Sequence, residues 1–96
     1  MRPAFIVFTK IRTKDQSELD TYTKKAGASF AGHDFKVLAA YGPQEVLEGD
    51  DHEGTVILQF PDKGAAKAWF DGPAYTEARQ HRMAGADYQV TLVEGV

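Results

Sequence analysis

The chain predicts an α+β fold of order β-α-β-β-α-β. Three observations carry this. Four short runs rich in β-branched and aromatic residues are separated by Gly, Pro and acidic turns. Two stretches between them repeat their apolar residues at helical spacing. The order strand, helix, two strands, helix, strand is that of the ferredoxin-like arrangement, an antiparallel four-stranded sheet with its helices on one face.

Residues 4–11, AFIVFTKI, form the first strand. Phe5 and Val7 point one way and Ile6 and Phe8 the other, so both faces are apolar and the strand is central. Asp15 with Glu18 three residues on has the spacing of a capping box and opens a helix. Leu19, Tyr22, Ala26 and Phe30 are its buried stripe, and Gly32 its stop. Residues 35–41, FKVLAAY, are the second strand, broken by Gly42-Pro43. A short extended piece, QEVLE, follows, then the acidic turn GDDHEG. Residues 55–60 are the third strand, ended by Pro61. Asp62 caps a short helix, and Gly72-Pro73 interrupts it before a second helix over 74–84. The last strand is 88–93.

The 96 residues suit one domain, 1–96, and no linker or repeat divides them. Both helical regions fit one sheet face, so the other needs a cover. A second copy of the chain supplies it, and the expected assembly is a homodimer packed sheet to sheet. The net charge is −3, without a basic stripe, which argues against nucleic-acid binding as the main role. No apolar run reaches ~18 residues, so no membrane partner is expected. The N-terminus lacks the apolar region and cleavage site of a signal peptide. With no cysteine there is no disulfide framework and no thiolate nucleophile, which fits a cytoplasmic protein.

The charge is uneven. Residues 1–36 carry +3, residues 37–62 carry −6 with no base, and residues 63–96 are neutral. The acidic stretch reads chiefly as a solvated turn at Asp51 and Glu53. Its spacing, with His52, matches no EF-hand or zinc pattern, so no metal is expected. Tyr75, Arg79 and Arg82 fall at i, i+4 and i+7 and share a helix face, where two guanidiniums and a phenol could grip an anion or pair with the acidic loop. His33, after the first helix, is a candidate general base. Tyr41 ends its strand where it could line a pocket, and Trp69 fills the core beneath the split helix. No phosphate loop, Rossmann turn or nucleophile elbow is present, and no motif indicates a bound cofactor such as flavin or haem.

The stretch from Val46 to Val96 resembles the domain-of-unknown-function 1330 (DUF1330) family. The resemblance rests on Glu48-Gly49-Asp50, Phe60-Pro61, Ala65-Ala66-Lys67-Ala68-Trp69-Phe70, Pro73-Ala74-Tyr75 with Arg79 and Arg82, and Val93-Glu94-Gly95-Val96. A Tyr-bearing helix and His33 extend it into the first half. Asp51, His52 and Glu53 depart from the Trp and Arg common in that family's loop, and Asp34-Phe35 from its paired glycines. The resemblance implies a dimeric α/β barrel and places Glu48 and Asp50 at its mouth, where a carboxylate could cap backbone N–H groups, pair with an arginine or act as a base. It implies no activity.

Two functions fit these residues. One is binding of a small carboxylate- or carbonyl-bearing molecule, by a binding protein or a cofactor-independent enzyme. Apolar walls from Phe5, Val7, Val37 and Phe60 would surround His33, Tyr41, Glu48, Asp50, Trp69, Tyr75, Arg79 and Arg82. The other is a dimeric module that binds or assembles without chemistry.

Overall fold

A computed structural model describes residues 2–96. The elements are β1 (Ala4–Thr13), α1 (Gln16–Ser29), β2 (Lys36–Ala40), β3 (Gly54–Phe60), α2 (Lys63–Phe70), α3 (Pro73–Gly85) and β4 (Ala86–Glu94). The strands form one antiparallel sheet of order β2-β3-β1-β4. β1 is central, as its two apolar faces require.

Register decides which face each side chain takes. Ala4, Ile6 and Phe8 lie opposite Phe60, Leu58 and Val56 on β3, and Ile6 and Phe8 opposite Leu92 and Val90 on β4. This face carries the core, under the helices. Phe5 and Val7 align with Gln59 and Ile57, and with Val93 and Thr91, on the opposite face. Phe5 and Val7 therefore cannot wall a pocket beneath the helices. The strand period of two sends them to the uncovered side.

The caps follow the sequence with one change. Asp15 accepts from the Ser17 and Glu18 N–H groups and opens α1. Glu18 does not return the bond. Its carboxylate meets His81 Nδ1 at 2.8 Å and ties α1 to α3, while Asp15 N–H donates to Gly85 O. His81 is thus half-buried and paired. Asp62 caps α2 through Ala65 N–H. Gly32 follows α1 with φ +81°, a conformation that favours glycine.

Aromatic rings fill the layer between helices and sheet. Trp69 is 1% exposed, stacked on Phe30 at 4.7 Å and packed on Tyr75 at 4.1 Å. Its Nε1–H donates to Ser29 Oγ at 3.0 Å, so the indole carries no unpaired polar atom into the core.

Residues 44–48 are not a strand. Instead Gln44 pins the 42–53 loop, donating to His52 O and accepting from Thr55 Oγ1. Glu53 is no solvated turn residue either. Its carboxylate accepts from the Thr13 N–H and hydroxyl, and lies 3.7 Å from Lys10 Nζ. These bonds, the Thr13 hydroxyl first, hold its carboxyl below the usual range.

Candidate functional site

The helix layer does not seal the sheet. Between α1 and the strands β2, β3 and β1 lies an open cleft of about 300 Å³. Its walls are apolar and largely aromatic, including Phe8, Ala26, Phe30, Val56, Leu58 and Trp69. Tyr22 and Tyr41 also line it, but no His, Asp, Glu, Lys or Arg does.

Two of the chain's four tyrosines, Tyr22 and Tyr41, line the cleft, and each bonds one of the other two. Tyr22 and Tyr75 hydroxyls meet at 2.9 Å, and those of Tyr41 and Tyr88 also bond to each other. The four come from α1, α3, the end of β2 and β4. Tyr41 reaches its partner because it adopts φ +56° and lays its ring over Gly54. A Cβ on Gly54 would stand 2.5 Å from that ring, so only glycine fits beneath it.

Arg82, 6% exposed, lines not the cleft but a separate open hollow with Lys14, Met83, Asp87 and Tyr88. Its guanidinium lies 5.1 Å from the Tyr88 ring and 5.9 Å from Phe8. Among the described residues it forms no ion pair, and its buried Nε has no hydrogen-bond partner. The nearby cations are already engaged: Lys10 by Glu53, Arg12 and Lys14 by Asp87. A buried cation lacking an anion is costly, because ring faces replace only part of its hydration.

Tyr75 is fully buried, and its hydroxyl bonds that of Tyr22, a bond in which either can donate. Burial pushes the Tyr22, Tyr75 and Tyr88 hydroxyls above the ordinary phenol range, with Arg82 acting against it.

The residues expected at a site divide into two groups. Tyr41 and Trp69 line the cleft, Tyr75 bonds Tyr22 of its lining, and Arg82 lies beside the Tyr88 ring outside it. Arg79 leaves the group, stacking over Phe70 at 4.7 Å. Glu48 and Asp50 are exposed and pair with neither Arg79 nor Arg82, so the expected bridge between loop and helix is absent. His33 is exposed and lies at the other end of the sheet, three residues before Lys36, which is level with Phe5. It cannot act as a base at a cleft edge marked by Tyr41. Tyr22 and Tyr88 complete the cluster, yet Tyr22 reads in sequence as one member of a buried stripe and Tyr88 as one strand residue. Among the described residues no three His, Asp or Glu side chains gather as a metal site.

An alkaline titration tests the phenol cluster. Well below pH 10 the Tyr22, Tyr75 and Tyr88 phenols are neutral in folded and unfolded chains alike and contribute no pH dependence. Above it the unfolded chain loses phenol protons that the fold retains, so stability falls as pH rises. Tyrosinate absorbance of the native protein should lag behind that of the unfolded chain, most of the signal appearing with unfolding. Smooth ionisation of all four before unfolding would contradict this arrangement.

Comparison with known proteins fixes the wider setting. The RPA0582 protein of unknown function from Rhodopseudomonas palustris superposes with a TM-score of 0.76 at 19% identity, over 99% of this chain and 83% of that one. A dimeric ferredoxin-like protein of unknown function from Jannaschia sp. CCS1 gives 0.68 at 14% identity, over 96% and 98%. SnoaB, a cofactor-independent oxygenase from Streptomyces nogalater, gives 0.62 at 12% identity, over 97% and 92%. These likenesses show the ferredoxin-like fold. Comparison with curated proteins returns no match. Among the described residues no helix is long and apolar enough to cross a membrane. The model of the domain of unknown function DUF1330 matches residues 3–96, nearly the full length, and the chain belongs to that family.

Proposed function

We propose that the cleft binds a small organic molecule with a flat apolar body and a carbonyl or carboxylate oxygen. The observation that carries this is the cleft itself, whose apolar, largely aromatic walls include the Tyr22 and Tyr41 phenols and no charged side chain. Aromatic walls suit the body, and the two phenols are the hydroxyls that could meet its oxygen. Tyr75 bonds the Tyr22 hydroxyl, and Trp69 forms part of the wall.

The same donors could stabilise an oxygen that gains charge during a reaction, as a cofactor-independent enzyme requires. The likeness to SnoaB, described as a cofactor-independent oxygenase, supports that second reading at the level of fold. Against it, no carboxylate or imidazole lines the cleft to serve as a base.

A melting-temperature screen with aromatic and aliphatic acids and ketones tests the binding. Ligands of this class should raise the melting temperature at millimolar concentration, by mass action on the folded state. Tyr22→Phe, which removes a lining hydroxyl and keeps the ring, should lose most of that increase. Flat responses across the set, or an equal increase in the variant, would refute the reading.

We also infer a homodimer that covers the open sheet face. Phe5, Val7, Ile57 and Val93 are exposed or half-buried there with no helix over them. The Jannaschia neighbour is described as dimeric, which supports a second copy as the cover. Equilibrium sedimentation at micromolar concentration should return twice the chain mass of 10.6 kDa, and a monomer would contradict it.

A further inference from the structure

We propose that the chain carries a second site, separate from the aromatic cleft, in which the hollow at Arg82 binds the carboxylate of a small organic acid. The hollow and the cleft share no lining residue, so this stands apart from the binding reading above.

The hollow lies between the end of α3 and the start of β4 and has a volume of about 500 Å³. Arg82 and Met83 line it from α3, Lys14 from the turn after β1, and Asp87, Tyr88 and Val90 from β4. Tyr88 and Val90 lie level with Lys10 and Phe8 on β1, on the helix side of the sheet. β4 is an edge strand, so no further strand shields that side. A second copy packed on the Phe5 and Val7 face therefore leaves the hollow open.

Charge decides what fits there. Asp87 is the one acid of the lining, and it is already shared, 3.0 Å from Arg12 and 3.3 Å from Lys14. Arg82 makes no ion pair among the described residues, and its Nε is buried without a hydrogen-bond partner. Lys14 donates to Met83 O and meets Asp87, which leaves one of its three ammonium protons free. Three bases thus stand against one acid, and the deepest of them has no anion. At 6% exposure Arg82 has lost most of its hydration, so an anion reaching it is held more strongly than at the surface. Arg79 also lacks an ion pair, but it stacks over Phe70 and lines no part of the hollow.

A carboxylate suits this setting better than a phosphate. It brings one charge and a planar edge that matches a guanidinium. A phosphate dianion would set a second charge against Asp87, which stays in the lining. Met83, Val90 and the Tyr88 ring give a short hydrocarbon tail an apolar side to lie on.

The experiment titrates the 15N-labelled protein with butyrate, with butyramide as a neutral probe of like shape, and with inorganic phosphate. Amide signals of Met83, Asp87 and Tyr88 report the hollow, and those of Ala26 and Val56 the cleft. Butyrate should move the hollow signals at millimolar concentration and bind at least about tenfold tighter than butyramide, the scale of a hydrogen bond to a charged group. Arg82→Met should abolish the shifts, whereas Arg79→Met, which removes the neighbouring arginine of the same helix, should leave them. If the Arg82 variant fails to fold, Lys14→Met serves, and should weaken butyrate about threefold, as a partly exposed charge does. Unmoved hollow signals, equal affinity for butyramide, tighter binding of phosphate, or full binding by the Arg82 or Lys14 variant would overturn the proposal while leaving the cleft reading to its own test.

Discussion

The indole of Trp69 stacks on Phe30 and gives its N–H to Ser29, so the end of α1 and the bend between α2 and α3 are fixed to each other. Tyr75 packs on the same indole from the first turns of α3. With that end of α3 seated, Arg82 comes seven residues later, nearly two full turns on. It arrives beside the Tyr88 ring because the helix has no other way to run. Truncating Trp69 would remove far more than area, since both helices take their positions from it.

This seating also separates the two arginines. Seven residues return a helix to within about 20° of its starting direction, whereas four overshoot by about 40°. Arg82 therefore follows Tyr75 inward, and Arg79 swings over Phe70. The sequence spacing shows a shared face, but not that a rotation of this size decides between a buried cation and a surface one.

Much of the fold was legible in local patterns. Asp15 and Asp62 each cap a helix, Gly72-Pro73 splits the second helical region, and the apolar faces of β1 mark a central strand. The site was less legible, because its partners are distant in the chain. Tyr22 meets Tyr75 and Tyr41 meets Tyr88 across 53 and 47 residues, contacts that no local spacing encodes. The acidic loop misleads for the same reason. Glu48 and Asp50 carry the family motif yet stay in solvent, while Glu53 finds Thr13 across 40 residues.

A cation buried without an ion pair, with its Nε unpartnered, is costly for stability. The most direct measurement is the denaturant midpoint of ligand-free Arg82→Met beside that of the parent chain. If Arg82 is uncompensated in the fold, as its unpartnered Nε indicates, removing its charge should leave the protein as stable or more stable. If Arg82 is instead a structural residue satisfied by its ring contacts, the variant should lose ~2 kcal/mol or more, within the range for breaking a buried polar network. That loss would contradict the account.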